Sequence, residues 1–311
     1  MKLNDIFNMK YYLNLKNFPN ELSYYDKEGI PMICFYATGE IVYNPTVVAL
    51  FALSNLQLYF SGERTALNKF NQAVNWLIRN GVHTKIGLIF PLNFDHPVYG
   101  LKKGWISAMT QGVVISSFIR SFLLSSDHFF LTAAQEALGP LMVGIEHGGV
   151  SYHDENGDLW LEEVPSNPPS HILNGFIFAL MGLFDLLSVT GDSLVEDILK
   201  KGVLTLKKNI RRYDSGYWSL YQLTPALLAP LDYHKLHIDQ LLFLYKLTGE
   251  DIFRDCAVRF YVYMGRQRNY LISRILGNIL YLNALFKMKS LNAVPYMLRR
   301  ICQYFSDKIR L

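Results

Sequence analysis

Two adjacent glutamates, Glu162 and Glu163, lie in a loop whose composition suits acid–base chemistry. The loop runs from residue 147 to residue 170 and mixes glycines with Trp160 and several prolines. Flexible glycines followed by a stiff proline-rich stretch suit a loop that holds one carboxylate in place. Because adjacent side chains point in opposite directions in an extended chain, we expect at most one glutamate to face a pocket. The equally common alternative is a pair of solvated acids.

A second segment, residues 213–221, is dense in aromatic side chains. It contains Tyr213, Tyr217, Trp218 and Tyr221. Aromatic faces stack on the apolar faces of sugar rings, and phenols supply hydrogen-bond donors at the rim. Such loops fill protein cores about as often, so the segment alone does not decide between the two roles.

A third segment, residues 232–237, opens a predicted helix. There Tyr233 and His237 are four residues apart and share a face, and Asp232 is placed to cap the helix. A phenol needs a cationic neighbour to act as a base at neutral pH, and His237 is a candidate for it. A single Tyr or His is more often structural. Three such segments at the same end of consecutive repeats favour a shared site.

A repeated unit must position these segments. Each copy has an apolar helix, a short turn with a small residue and an acid, and a second, amphipathic helix. The turns are Ser61-Gly62-Glu63, Ser125-Ser126-Asp127, Thr190-Gly191-Asp192 and Thr248-Gly249-Glu250. A small residue that ends one helix and an acid that begins the next let two antiparallel helices connect within a few residues.

The repeat predicts a mainly α fold, an (α/α) toroid or incomplete barrel of helical hairpins. Three segments are apolar on nearly every side and predict buried inner helices, at residues 47–59, 113–124 and 176–187. Two amphipathic segments predict outer helices with one solvent-exposed face, at residues 65–79 and 194–210. Residues 31–42 predict a β-hairpin near the N-terminus, which residues 81–90 extend. We therefore predict an N-terminal segment over residues 1–42 and a toroid over residues 43–311. A weaker fifth unit is expected at residues 270–308, within basic C-terminal helices at 265–311.

The charge distribution, the cysteine positions and the N-terminal composition indicate which partners, metal sites and location to expect. The net charge is +4, but residues 266–310 hold nine Lys or Arg against one acid, Asp307. That tail is either a solvated helix face or a surface for a polyanion, an anionic membrane or an acidic partner. Cys34, Cys256 and Cys302 are too far apart for a disulfide framework or a CxxC metal site. The N-terminus lacks an unbroken apolar stretch, which predicts a cytoplasmic protein without a signal peptide.

The combination of motifs resembles the C-terminal domain of D-glucuronyl C5-epimerases of the heparan sulfate type. The resemblance covers roughly residues 30–265. It is carried by Tyr43-Asn44-Pro45, residues 105–112 (WISAMTQG), residues 160–165 (WLEEVP), residues 167–175 (NPPSHILNG), Tyr213-Asp214-Ser215-Gly216 and Asp232-Tyr233-His234. This family has an (α/α) toroid, in agreement with the repeat. The resemblance implies inversion at C5 of glucuronic acid within a polysaccharide, which gives iduronic acid.

The resemblance implies catalytic roles for Glu163, Tyr221 and Tyr233. Glu163 and Tyr233 are expected to be the proton-transfer pair, assisted by Tyr221, while His234, His237 or a loop cation neutralises the substrate carboxylate. The expected substrate-binding residues are Trp105, Trp160, Glu162, Asn174, Tyr213, Tyr217, His234 and His237. Two positions depart from the family pattern, since Val164 replaces a tyrosine and Thr224 replaces an arginine.

No nucleotide-binding signature or tight metal-ligand cluster occurs, so we expect a reaction without cofactor or metal. The expected partner is an acidic polysaccharide or a lipid-linked glycan and not a nucleic acid. Peripheral membrane contact through the basic tail would fit that substrate, and a homodimer is left open. Two alternatives to the epimerase stay open. One is a uronate polysaccharide lyase on the same toroid, and the other is a glycan-binding protein without activity, which Val164 and Thr224 would favour.

Overall fold

The structure is a computed structural model that describes residues 9–273. The predictions for the fifth repeat unit, for most of the basic tail and for Cys302 lie outside the described residues. Within them the predicted class is confirmed, because helical hairpins dominate and the strands form only small antiparallel sheets.

Four helical hairpins form the body of the fold, as the turn pattern predicts. The inner helices are α1 (Pro45–Phe60), α3 (Ala108–Ser125), α6 (Leu173–Thr190) and α8 (Leu231–Thr248). Their outer partners are α2 (Ala66–Asn80), α4 (His128–Glu136), α7 (Ser193–Asn209) and α9 (Asp251–Met264), and a short helix, α5 (Gly139–Met142), follows α4. Each inner helix packs on its outer partner, and α1 contacts α3, α3 contacts α6 and α6 contacts α8. This succession is that of an incomplete toroid.

The turns between paired helices use the predicted caps in most places. Gly191 and Gly249 end their helices in the left-handed region, where glycine has no steric penalty. The Asp127 carboxylate accepts a hydrogen bond from the N–H of Phe129 at 2.9 Å. The Asp192 carboxylate likewise accepts a hydrogen bond from the N–H of Leu194 at 2.8 Å. The other two turns depart from the pattern. Thr65 and not Glu63 is the residue before α2, and Glu250 precedes α9 without a side-chain hydrogen bond to the helix.

The inner helices pack closely where glycines face each other. A methyl group on Gly182 would lie 2.3 Å from the carbonyl oxygen of Gly112, so the backbones of α3 and α6 are in contact there. By length and composition α3 and α6 could each cross a membrane, but most of their residues are buried inside the fold. They have the character of core helices.

The small sheets lie in the connections between helices. Strands β1 (Tyr24–Tyr25), β2 (Pro31–Cys34) and β3 (Ile41–Val42) form one antiparallel sheet, which confirms the hairpin at residues 31–42. Strands β4 (Val82–Thr84) and β5 (Gly87–Ile89) pair only with each other, so the expectation that residues 81–90 extend the first hairpin is wrong. The remaining hairpins are β6 (Ser151–His153) with β7 (Leu159–Leu161), and β8 (Leu220–Leu223) with β9 (Ala226–Leu228).

An N-terminal strap, residues 11–15, crosses the C-terminal halves of the inner helices. Gln57 of α1 binds the strap backbone, with its Nε2 2.6 Å from the carbonyl oxygen of Leu13. The Tyr12 ring lies 4.4 Å from Phe243 of α8, and its hydroxyl donates to Asp185 of α6. The strap therefore links α1, α6 and α8 at the end of the toroid away from the helix N-termini.

Candidate active site

Glu163 lies at the N-terminus of α6 and takes the place of a capping side chain. The residue that precedes the helix is Ile172, which cannot supply a side-chain hydrogen bond. The Asn174 amide instead donates to Glu163 Oε2 at 3.2 Å. Gly175 leaves the space that the carboxylate needs, because a methyl group there would lie 2.1 Å from Oε2. The positive end of the helix dipole is thus directed at the carboxylate.

Glu162 points the other way, as expected for an adjacent residue. Its carboxylate is buried, accepts from the backbone N–H of His171 at 3.0 Å and lies 2.7 Å from His171 Nδ1. The Trp160 ring packs on the same imidazole at 4.2 Å, and the Tyr213 hydroxyl donates to the carbonyl oxygen of His171 at 2.8 Å. These side chains hold residues 160–171 in shape. Direct substrate contact by the buried Trp160, Glu162 and Tyr213 does not fit these positions.

Burial raises the pKa of Glu163 to about 7. The negative charge of Glu162 adds to this rise, whereas hydrogen bonds from Tyr221, Asn174 and the Gly175 backbone oppose it. The Glu163 side chain is half-buried, so protein atoms surround the carboxylate without sealing it from solvent. A carboxylate with this pKa exchanges a proton readily near neutral pH.

Tyr221 and Tyr233 lie beside Glu163. The Tyr221 hydroxyl is 3.3 Å from Glu163 Oε1, and its ring meets the Tyr233 ring edge-on at 5.1 Å. Tyr233, in the first turn of α8, is 39% exposed, which leaves its phenol accessible to a ligand. Burial, with the nearby Glu163 carboxylate, raises the pKa of Tyr221 well above its usual value, so this phenol is a hydrogen-bond donor and not a base. The structure therefore brings together the three residues predicted to be catalytic.

His234 and His237 do not supply the cation that the sequence led us to expect. Both are buried around the Ser219 hydroxyl, at 2.7 Å and 2.9 Å from their Nδ1 atoms. Burial lowers the pKa of His234 to about 4 and that of His237 to about 3, so both are neutral at pH 7. They hold residues 218–221 against α8. The expected cap by Asp232 is also wrong, because Pro230 precedes the helix and no side chain caps it.

Sequence reasoning missed a second wall of the site, contributed by residues 31–105. Tyr36 and Tyr99 lie near Tyr221, and the Tyr99 hydroxyl donates to Oε1 of the adjacent Gln222. The expected binding residue Trp105 is part of this wall, where its ring packs on Phe94 and His96 and its Nε1–H donates to the carbonyl oxygen of Phe94 at 3.0 Å. Tyr217 is half-buried in the loop before β8. No spacing in the sequence relates position 36 to position 221, so this proximity required the fold.

The two departures from the family pattern lie in the segments that carry Glu163 and Tyr221. Val164 is buried and apolar, and Thr224 is in the turn between β8 and β9. Within residues 9–273 Glu163 takes part in no ion pair, and no group of His, Cys, Asp or Glu there has the arrangement of a metal site. The described part of the site presents one carboxylate, Glu163, and the phenols of Tyr221 and Tyr233.

Known proteins resemble the chain in sequence. An uncharacterised protein of Methanocaldococcus jannaschii is 30% identical over 169 residues, which are 53% of this chain and 54% of that protein. A D-glucuronyl C5-epimerase of Caenorhabditis elegans is 29% identical over 239 residues, 67% of this chain and 38% of that protein. The chain thus spans about half of the first relative and less of the second.

The fold resembles that of a crystal structure of D-mannose isomerase, with a TM-score of 0.51 and 13% identity over 83% of this chain and 67% of that chain. At this identity the likeness concerns the fold alone. A family model described as the D-glucuronyl C5-epimerase C-terminus matches residues 84–261, more than half of the chain, and this span contains Glu163, Tyr221 and Tyr233. The chain therefore belongs to the family of D-glucuronyl C5-epimerase C-terminal domains.

Proposed function

We propose that the protein is a C5-epimerase of hexuronic acid residues in a polysaccharide, of the glucuronate-to-iduronate type. The observation that carries the proposal is the Glu163 carboxylate, with a pKa of about 7, beside two phenols in a chain of this family. A base that is half ionised near neutral pH suits the removal of a weakly acidic C–H proton.

The proposed reaction has two proton transfers. Ionised Glu163 removes the C5 proton, and the electron pair of the C–H bond moves into the adjacent carboxylate of the sugar. The Tyr233 phenol then donates its proton to C5 from the opposite face, which inverts the carbon. Solvent returns a proton to Tyr233 and takes one from Glu163, which is feasible because both side chains reach solvent.

The direction of this scheme follows from Glu163, whose pKa of about 7 leaves its carboxylate largely ionised at and above neutral pH. A phenol is ordinarily protonated at that pH and suits the role of the acid. Glu163 is therefore assigned as the base and Tyr233 as the acid in the conversion of glucuronate, with Tyr221 holding the Glu163 carboxylate by its hydrogen bond.

The proposed substrate is an acidic or lipid-linked glycan, and the proposal includes a cytoplasmic location with membrane contact through the basic tail. A heparosan-type polymer is the first substrate to test, because the family name refers to glucuronate and the sequence resembles the heparan sulfate type.

Incubation with heparosan in D2O, followed by NMR, tests the proposal. We expect deuterium at C5 in intact chains, and no incorporation with Glu163→Gln, which has nearly the same shape but cannot accept the proton. Shortened chains with the ultraviolet absorbance of an unsaturated sugar would assign a lyase instead. An absence of exchange in a panel of uronate polymers would overturn the proposal that the protein is an enzyme. Binding of such a polymer without exchange would favour a glycan-binding protein.

A further inference from the structure

One face of α8 carries three side chains that reach different parts of the candidate active site. Tyr233, His237 and Gln240 follow each other at intervals of four and three residues, so they lie on the same side of the helix. Tyr233 is the proposed acid. The Nδ1 atom of His237 lies 2.9 Å from the Ser219 hydroxyl oxygen and holds the segment that leads to Tyr221. Gln240, which is fully buried, reaches the start of α6.

The Gln240 amide nitrogen donates to the backbone carbonyl oxygen of Asn174 at 3.0 Å. A carbonyl oxygen only accepts hydrogen bonds, so the amide must present its nitrogen and not its oxygen to α6. Asn174 is the second residue of α6, and its own side-chain amide donates to Glu163 Oε2 at 3.2 Å. Gln240 therefore ties the helix that carries the proposed acid to the residue that binds the proposed base.

These contacts form a closed ring around the site. On one side, the Tyr221 hydroxyl lies 3.3 Å from Glu163 Oε1 and the Tyr221 ring meets the Tyr233 ring at 5.1 Å. On the other side, Glu163 is bound by Asn174, which in turn is bound by Gln240. Seven residues of α8, roughly 10 Å of helix, join Gln240 to Tyr233 and close the ring. The position of the phenol relative to the carboxylate is thus set from two sides.

Stability does not explain why a glutamine is buried at position 240. Its Oε1 atom is buried and has no hydrogen-bond partner among residues 9–273. A buried polar atom without a partner lowers stability, and an apolar side chain of the same shape would avoid that loss. The Asn174 carbonyl can also accept from the backbone N–H four residues later in α6, so it does not require the Gln240 amide. A side chain that lowers stability here fits a positioning role.

We propose that Gln240 is a positioning residue that holds α8, and with it the Tyr233 phenol, in place across the sugar from Glu163. The inference rests on the proposed function. Inversion requires the acid and the base to keep a fixed separation, and a displacement of about 1 Å can cost roughly 10²-fold in rate. Proton removal depends on Glu163, whose hydrogen bonds from Tyr221 and Asn174 do not involve Gln240. Loss of the Gln240 amide should therefore impair inversion more than proton removal.

Gln240→Met tests the inference, because methionine has nearly the length and shape of glutamine but no amide donor. The proton that Glu163 takes from C5 can exchange with D2O, since this side chain is half-buried. When Tyr233 is displaced, Glu163 returns a deuteron to the same face of C5, which gives deuterated glucuronate in place of iduronate. We expect iduronate formation from heparosan to fall by about 10-fold and the ratio of deuterated glucuronate to iduronate to rise. NMR at early times measures both products.

Gln57→Met is the matched control. Gln57 is also a buried glutamine of an inner helix, but it binds the strap, where it donates to the Leu13 carbonyl oxygen at 2.6 Å and accepts from the Leu15 N–H at 2.8 Å. Its loss leaves both backbone groups without this partner, so the urea midpoint should fall while the product ratio stays unchanged. Gln240→Met should do the reverse, with a changed product ratio and a urea midpoint close to that of the wild type.

The outcomes distinguish a failure of this inference from a failure of the proposed function. If Gln240→Met matches the wild type in both products, Gln240 does not set the position of the acid. If iduronate formation and total exchange fall in parallel, or if Gln57→Met raises the product ratio equally, Gln240 has no specific effect on inversion. Each of these results overturns the inference while the epimerase stands. A wild-type protein that exchanges no deuterium would overturn the epimerase and the inference together.

Discussion

Glu163 is exposed enough to meet a substrate and enclosed enough for burial to raise its pKa to about 7. Its near neighbours divide into two kinds. The hydrogen bonds from Tyr221 and Asn174 favour the ionised form, whereas burial and the negative charge of Glu162 favour the protonated form. At the scale of the residue, the pH dependence of the reaction therefore reports this balance.

Asn174→Leu should shift the pH dependence of activity upward. As a base, Glu163 works in its ionised form, whose fraction rises with pH through about 7, so kcat/KM should rise over the same range. Leucine has nearly the shape of asparagine but lacks the amide that donates to Oε2 at 3.2 Å. Without that donor the ionised form is less stable, the pKa of Glu163 rises, and the acid limb of a kcat/KM profile moves above pH 7.

Asn55→Leu is the control for this measurement. Asn55 is also a buried asparagine of an inner helix, but its amide donates to the carbonyl oxygen of Phe51. Its loss should leave the acid limb in place even if stability falls. An acid limb that stays near pH 7 in Asn174→Leu would mean that the amide does not act on the base, or that the limb belongs to another group.

At the scale of the element, the site depends on how α6 begins. A helix start that lacks its own capping side chain receives a carboxylate from a loop ten residues upstream, and Gly175 makes that approach feasible. Sequence alone identified Glu163, because the motif around it is distinctive. The reason why a glycine follows Asn174 emerged only from the contact between helix and loop.

Gly175→Ala should reduce activity far more than stability. Alanine is the better helix former by about 1 kcal/mol, so the substitution favours α6 itself. The added methyl group, however, would lie 2.1 Å from Glu163 Oε2 and 2.4 Å from its Cβ, so both the carboxylate and the loop backbone that carries it must move. A displacement of about 1 Å can cost roughly 10²-fold in rate. Steady-state kinetics and thermal unfolding of the same preparation measure the two effects.

Gly265→Ala is the matched control for the glycine substitution. Gly265 ends α9, and a methyl group there would have only the carbonyl oxygen of Val262 nearby, at 3.7 Å. Activity should be unchanged. If Gly175→Ala keeps full activity, or if both variants lose it equally, the close approach of the loop to α6 does not control the base.

The elements themselves were largely predictable, and their long-range partners were not. The turns at Gly191 and Gly249 identified helical hairpins, because a small residue and an acid between apolar and amphipathic segments has a local physical meaning. The roles of His234 and His237 could not be read in this way. Their charge depends on burial around Ser219, which is set by the packing of α8 on the preceding loop. Likewise, no sequence periodicity encodes the hydrogen bond from Tyr99 to Gln222.

At the scale of the whole molecule, the toroid has two ends with different tasks. The N-termini of α3 and α6 hold the loops of the candidate active site, since Asn174 contacts both Glu163 and Met109. The opposite end contains a buried ion pair between Arg120 of α3 and Asp185 of α6, at 2.6 Å, together with the strap residue Tyr12. Arg120 is eleven residues beyond Met109 along α3, a distance of roughly 16 Å. Stability and chemistry should therefore respond separately to substitutions at the two ends.

A double-mutant cycle at Arg120 and Asp185 tests this separation. Arg120→Met leaves the Asp185 carboxylate buried without its cation, and the loss of one partner of a buried pair costs about 3–5 kcal/mol of unfolding free energy. Asp185→Asn removes the charge but keeps an oxygen that can accept from Tyr12, and it leaves Arg120 uncompensated. In the double variant neither charge remains, so it should be more stable than the sum of the single losses predicts. Urea unfolding gives the coupling energy, and deuterium exchange below the unfolding transition gives the rate per folded molecule. We expect a clear coupling energy between Arg120 and Asp185, with exchange rates of all variants within a few-fold of the wild type. Rates that fall in parallel with stability would mean that the end of the toroid with Arg120 and Asp185 also shapes the active site.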